Sequence, residues 1–506
     1  MTHIARSTLI IAVFFGLEKL LGFARQVLIA RQFGLSAELD AFNAANNLPD
    51  LVFALISGGA LAIAFIPVLS ERLTRDGRPA AWDLFSRITN LVFLVTASLS
   101  LVIAILAEPL VRWRLGVAPG FDAAQQALVA ELMRLNLIAT LIFSLSGLVI
   151  AGLQANQHFL LPALAPSMYD LGTLFGVLVL APVQGYRLGP LILPAFGMGV
   201  HGLVYGVILG AALFLGIQLP GLVRYRFRWT PAIGLRHPGV RQVLRLLGPR
   251  IATVFFIQLV FLAQDNLASR LAVGSVAVLV YGWLFMQVPE TVIGTAIGTA
   301  LLPTLSEQVA RQDQSSFRQS LNHTLRIILA LTLPSAALLA MALRPVVGLL
   351  GFDSAGTEQV VWTARAYLVG LVGHSLLEVA VRAFYARQDA RTPLLTSGLT
   401  TAAFIALGML LAPRLGAPGI GLANALAYSG QALFLWGLLN RRYPGLFQVR
   451  PTLARAAAIS TLAAMLTYGL LRLPLPGLPL ALGALAAGTL LALPFVWPEV
   501  KLLIRL

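Results

Sequence analysis

The feature that most limits what this chain can become is the recurrence, from end to end, of long apolar runs separated by short segments rich in Pro, Gly and Arg. The hydrocarbon core of a bilayer takes about 20 apolar residues per helix, and in lipid every backbone polar group must be satisfied within the spanning structure. Barrel strands would be short and alternating, whereas these runs are long and apolar on most faces, so helices are the expectation. Composition agrees: 58% of the 506 residues are hydrophobic, 11% are charged and the mean hydropathy is +0.85, beyond the range of soluble domains. The expected fold is an all-α polytopic membrane protein.

Segmentation by apolar runs and by Pro, Gly and Arg punctuation predicts fourteen spans: 7–33, 38–71, 80–111, 124–155, 160–183, 194–224, 240–272, 276–308, 317–350, 358–386, 392–413, 417–440, 452–472 and 477–504. Residues 8–16 resemble a signal-peptide core, but no small-x-small site follows before Glu18 and Lys19, which predicts an uncleaved first helix. The formal charge of +16 would point to nucleic acid in a soluble protein, yet its placement points to a membrane. Arg72, Arg75 and Arg78, then Arg224, Arg226, Arg228, Arg236 and Arg241, then Arg311 and Arg318, Arg387 and Arg391, and Arg441, Arg442 and Arg450 fall in alternate loops. The positive-inside rule makes those loops and both termini cytoplasmic, and leaves no reason to expect a nucleic-acid partner. The absence of cysteine excludes disulfides and thiolate metal sites.

An internal repeat is visible. Ile66-Pro67-Val68-Leu69-Ser70-Glu71 recurs 236 residues later as Leu302-Pro303-Thr304-Leu305-Ser306-Glu307, with Gly58 matching Gly294 and Arg75 matching Arg311. Ala155, Gln157 and Pro162 likewise match Ala386, Gln388 and Pro393 at an offset of 231. Six helices per copy keep the orientation, which makes the repeat parallel and predicts two lobes around a central cavity. The expected organisation is an N-lobe over 1–224, a basic linker and the start of helix seven over 225–250, a C-lobe over 240–443 and a C-terminal helix pair over 450–506.

Charges inside the spans are the functional candidates, since each costs about 2.5 to 3.5 kcal/mol at a helix centre unless paired or hydrated. Glu18 and Arg25 are seven apart on one face of helix one, beside Lys19. Either they form a local ion pair with a cation snorkelling outward, or the cations line a path. Pro49 and Asp50 precede Gly58 and Gly59 in helix two, as Pro289 and Glu290 precede Gly294 and Gly298 in helix eight, which marks both helices as candidate bending gates. Asp265 in helix seven is a candidate cation or proton site, or else a partner of Arg270. Asp170 and the Glu378–Arg382 pair are weaker candidates, the latter spaced to neutralise itself. Helix eight supplies no counterpart to the cations of helix one, so the path is expected to be charged on the N-terminal lobe only. No metal-ligand spacing and no phosphate-binding GxxxxGK[ST] loop occurs. A transporter rather than an enzyme is expected, without cofactor, and driven by membrane potential, a cation gradient or its substrate's own gradient.

Gly22-Phe23-Ala24-Arg25, Asp40-Ala41-Phe42, Leu48-Pro49, Ala64-Phe65-Ile66-Pro67-Val68-Leu69-Ser70-Glu71, Ala118-Pro119-Gly120-Phe121 and Gly298-Thr299-Ala300-Leu301-Leu302-Pro303 resemble the MurJ, or MviN, lipid II flippases of the multidrug/oligosaccharidyl-lipid/polysaccharide exporter superfamily. The resemblance implies fourteen helices, a cationic cavity, and alternating-access movement of a polyprenyl-pyrophosphate-linked peptidoglycan precursor between leaflets, with cell-wall synthesis proteins as further partners. It assigns substrate contact to Arg25 and Asp40, and to Lys19 where the family has arginine. Bidentate bonds suit arginine to pyrophosphate, and lysine loses that fork. The chain departs from the family at Phe53, Leu284 and Gln287, where charged residues are expected, and residues 392–413 lack the Asn and Asp of a sodium site. An exporter of another lipid-linked oligosaccharide, a drug/cation antiporter, and a non-transporting scaffold therefore stay open as alternatives.

Overall fold

The computed structural model describes residues 3–56, 59–474 and 477–504; Gly58, matched above to Gly294, lies outside them. The chain divides into two units, Met1–Arg270 and Leu271–Leu506. The first contains α1 (His3–Phe33), α2 (Ala37–Ala45), α3 (Asn47–Ile56), α4 (Gly59–Arg75), α5 (Gly77–Ile105), α6 (Ala107–Arg112), α7 (Ala123–Ala155) and α8 (Leu160–Phe175), which runs on through a π-turn (Gly176–Leu180). A two-residue antiparallel pair, β1 (Arg187–Leu188) and β2 (Leu191–Ile192), follows, then α9 (Val200–Gly216), α10 (Leu219–Arg224) and α11 (Pro238–Ala268). The second contains α12 (Ser275–Glu290), a π-turn (Thr291–Thr295), α13 (Ala296–Ala310), α14 (Gln314–Val347), α15 (Ser354–Val369), α16 (Leu371–Ala386), α17 (Arg391–Leu415), α18 (Ala417–Arg442), α19 (Arg450–Leu470) and α20 (Gly477–Ile504).

Among the described residues, 11 helices are long and apolar enough to span a membrane, and α15 with α16, bent by 41°, brings the number to 12. With α1 and the interrupted series α2–α4 ahead of them, the arrangement is compatible with the fourteen spans expected. Helix two is broken rather than continuous: α2 stops at Ala45, and Pro49, which has no N–H to donate to the Ala45 carbonyl, explains why. Helix ten bends at Gly370, which lies so close to α18 that a Cβ would come 2.8 Å from the Ala425 Cα. Helix six is shorter than expected, since residues 181–199 form the small hairpin and its flanks.

The matched glutamines of the repeat share a helix-ending conformation that Arg226 and Gln312 also adopt. Gln157 after α7 and Gln388 after α16 both adopt left-handed conformations, φ 59° and 60°. His158 N–H donates to Leu153 O at 2.9 Å in one copy and Asp389 N–H to Phe384 O at 3.0 Å in the other, so both helices end in the same C-terminal motif. The π-turn at Thr291–Thr295 falls where, 236 residues earlier, α3 ends at Ile56 and α4 resumes at Gly59.

Within the first unit, α8 and α9 meet through glycines; a Cβ on Gly176 would lie 2.7 Å from the Gly206 Cα, the close approach typical of membrane helix pairs. Trp82, Phe85 and Phe227 stack edge to face with centroids 5.2 to 5.4 Å apart. The segment expected as a tether is held against α5. Trp82 Nε1 donates to Tyr225 O at 3.2 Å, and Asn90 Nδ2 to Thr230 O at 2.7 Å, while Arg224, Arg226, Arg228 and Arg236 stay exposed. Helix α11, drawn from sequence as the start of the C-lobe, packs on α3 and α4.

In the second unit, α19 and α20 pack on α14. The fully buried Glu499 of α20 accepts from Arg326 Nη2 of α14 at 3.1 Å, from Thr452 Oγ1 of α19 at 3.0 Å, and from Arg455 of α19. One carboxylate thus joins three helices.

Candidate substrate-binding site

Arg25 belongs to the part of α1 that faces α8. Its Nη1 lies 2.9 Å from Asp170 Oδ1 and 3.5 Å from Thr173 Oγ1, and its guanidinium stands 5.3 Å from the centre of the Tyr169 ring. The Asp170 side chain is 4% exposed and that of Arg25 19%. Gly22, one turn earlier, leaves the space beside Asp170 open, since a Cβ there would come no nearer than 3.8 Å to its carboxylate. Arg25 therefore pairs across helices, and Glu18 takes the neighbouring Lys19 at 3.3 Å. Both of these charges and the Asp50 carboxylate of α3 act electrostatically on the Tyr169–Asp170 end of the cluster. Asp50 is exposed and Pro49 before it buried in the first turns of α3.

Asp40 is 1% exposed on α2, whose start is capped by Ser36 Oγ accepting from Leu39 N–H at 3.2 Å. Where Arg25 takes Asp170 as its carboxylate, Asp40 lies in the electrostatic reach of Asp265, on α11. Asp265 accepts from Asn47 Nδ2 at the first residue of α3. Its expected alternative partner, Arg270, donates instead to Arg114 O at 2.9 Å and to Asn266 Oδ1 at 3.2 Å. Asn266 Nδ2 also donates to Gly116 O at 2.6 Å, and Gly120 N–H to Ser269 Oγ at 3.1 Å, so the Ala118-Pro119-Gly120-Phe121 segment is tied to the end of α11. The resemblance groups Arg25, Lys19 and Asp40 as substrate contacts; in the structure Arg25 pairs with Asp170 and Lys19 with Glu18 on α1 and α8, while Asp40 acts electrostatically on Asp265 of α11.

In the second unit Pro289 and Glu290 stand at the end of α12, where the helix passes into its π-turn. Thr295 Oγ1 donates to Glu290 Oε1 at 3.1 Å. Arg382 of α16 pairs with Glu378 and donates through Nη2 to Thr299 Oγ1 at 3.2 Å. Glu290, Glu378 and Arg382 form a charged group in the second unit, brought together because α12, the π-turn and α13 pack along α16.

Comparison with known proteins now decides the family. A family model described as the lipid II flippase MurJ matches residues 29–480. The chain belongs to the MurJ lipid II flippase family. A curated MurJ of Burkholderia cenocepacia is 31% identical over 490 residues, covering 93% of this chain and 90% of that protein. A probable MurJ of Rhizobium meliloti is 29% identical over 94% of this chain and 89% of its own length. Among solved structures, a lipid II flippase MurJ in an inward closed conformation superposes with TM-score 0.79 at 20% identity, covering 98% of this chain and all of the other. An inward-facing multidrug resistance MATE transporter of the MOP superfamily gives 0.69 at 15% identity, covering 86% of this chain and 96% of that one. MurJ membership makes this a multi-pass bacterial transporter rather than an enzyme.

At two of the positions where this chain departs from the MurJ pattern, Phe53 and Gln287, the side chains find other surroundings. Phe53 stacks on Phe143 at 5.8 Å, and Phe143 on Tyr169 at 5.4 Å, which places an aromatic row beside the Arg25 guanidinium. Gln287 is exposed. Asp170 as the direct partner of Arg25 escapes a reading of the sequence, because a lone acid in helix five carries no spacing signal toward helix one.

Proposed function

We propose that this chain moves lipid II, a polyprenyl-pyrophosphate-linked peptidoglycan precursor, from the inner to the outer leaflet of the bacterial cytoplasmic membrane by alternating access. The observation that carries the reading is Arg25, a guanidinium held among apolar helices on a carboxylate, in a chain matched to the family over most of its length. Inside a low-dielectric site a guanidinium released from Asp170 would meet a pyrophosphate through paired, charge-assisted bonds. Asp170 and the pyrophosphate thereby compete for one guanidinium, and binding exchanges the first anion for the second. Lys19 on the same helix adds charge without the bidentate fork. Asp40 and Asp265, the latter held by the Asn47 amide, form the acidic group that would respond to movement of α2 and α3 against α11. Exposed arginines in alternate loops support cytoplasmic termini, with the basic segments at the anionic leaflet and available to cell-wall synthesis proteins.

A second reading, export of another lipid-linked oligosaccharide, is favoured by Phe53, Leu284 and Gln287 standing where the family pattern is charged. Complementation of cells depleted of their own lipid II flippase separates the two. Rescue by the wild-type chain and its loss with Arg25→Ala is the expected result. Normal insertion without rescue, together with transport of a different undecaprenyl-pyrophosphate glycan, would establish the second reading.

A further inference from the structure

The substrate reading leaves the charged group of the second unit unused. Glu290 ends α12 at the π-turn, and Glu378 and Arg382 lie one turn apart on α16. Glu290 feels both the Glu378 carboxylate and the Arg382 guanidinium, while Arg382 is committed to Glu378 and Thr299. Ionised throughout, these three residues carry one negative charge in excess, in a segment that reads as membrane-spanning, where an uncompensated charge is costly. An independent feature lies at the same turn. The Ser375 hydroxyl is fully buried without a hydrogen-bond partner, and it faces the π-turn closely enough that a Cβ on Gly294 would come 2.9 Å from its Oγ. Glu290 and the hydroxyls of Thr295 and Ser375 thus meet at one irregular turn, with the Glu378 carboxylate of the packed α16 in electrostatic reach, and such turns recur at functional sites.

The elements packed on the turn do not supply the missing charge among the described residues. They are α12, α13, α14 and α16. Helix α14 has no ionisable side chain between Arg326 and Arg344, and Glu307 of α13 is paired with Arg311 at 2.5 Å. Tyr281 is buried farther back on α12. On α16, His374 Nε2 is 2.9 Å from Asn424 Oδ1 and its ring is stacked on Tyr428 at 4.4 Å.

We propose that this turn is a monovalent-cation site: a proton or a sodium ion held by Glu290, with Glu378, Thr295 and Ser375 beside it, balances the excess charge. The proposal rests on the transport reading for its purpose, because a site at the bend between α12 and α13 lets an ion gradient bias that bend. A cation that binds one bend better than the other shifts the equilibrium by its difference in affinity.

The test needs no substrate. Hydrogen exchange over residues 286–300 is followed in the purified full-length protein in lipid nanodiscs, with sodium replaced by choline in one arm and pH moved across neutrality, corrected for intrinsic exchange, in the other. Slower exchange with sodium identifies sodium; slower exchange only on acidification identifies the proton. Either response should vanish in Glu290→Gln and persist at altered cation concentration in Glu290→Asp, with unfolding temperatures confirming that both variants fold. A wild-type protein that responds to neither cation, or a Glu290→Gln variant that responds as wild type does, overturns the proposal. Because lipid II is absent, the outcome is independent of whether complementation succeeds.

Discussion

Asp170 decides how Arg25 is used. Two roles for it predict opposite signs. If the carboxylate occupies the place of the substrate's pyrophosphate, Asp170→Asn removes a competitor worth about 1.5 to 3 kcal/mol, and lipid II should bind roughly tenfold or more tighter, read by native mass spectrometry of the detergent-solubilised protein. If Asp170 only orients the guanidinium, the same substitution weakens binding. Arg25→Lys keeps the charge and tests the fork alone. The residue scale is also where sequence reading is weakest. Arg25 is recognisable because arginine in an apolar run must be answered, but nothing in the order of residues says that the answer comes from helix five and not from Glu18. Spacing likewise pairs Arg270 with Asp265, five residues away, whereas the Arg114 and Gly116 carbonyls hold the end of α11.

At the scale of elements, irregularity is placed where apolar helices would otherwise be featureless. Pro49 interrupts helix two, Gly370 lets helix ten bend against α18, and the π-turn after Pro289 sets Glu290 opposite α16. Proline and glycine announce such breaks in the sequence, though not their direction. The C-terminal pair shows the opposite device, one carboxylate tying α14, α19 and α20. Glu499→Ala would leave the half-buried Arg326 and Arg455 without their shared, fully buried carboxylate. Breaking a buried pair in this way costs about 3 to 5 kcal/mol, so the variant should unfold at a clearly lower temperature, and proteolysis should release α19 and α20 first. An unchanged melting temperature would mean that lipid contacts, not Glu499, hold the pair in place.

For the whole molecule, the alternation of arginine-rich and arginine-poor loops makes a direct prediction. Reporter fusions after residues 78, 224, 311 and 442, and at both ends, should all report the cytoplasm, whereas fusions in the 113–121 and 181–199 segments should report the periplasm; a reversed terminus would break the even helix count, and a reversed internal fusion would redraw the spans on either side of it. By itself the sequence determined the class, the order of spans, the duplication and the family, because hydropathy, loop charge and repeated motifs are written along the chain and need no contact to be read. Gln157 and Gln388 illustrate this, matched by offset and then found in one left-handed helix-ending conformation. Only the tertiary structure decided which charges answer one another: Arg25 with Asp170, Asn47 with Asp265, and Glu290 beside Glu378 and Arg382. Such pairings depend on which faces of distant helices are pressed together, and a helix that is apolar on nearly every side does not disclose its face. Glu290 at its Pro–Gly bend and the Glu378–Arg382 pair are each legible in the sequence, whereas their adjacency follows only from the packing of α12 and the π-turn along α16.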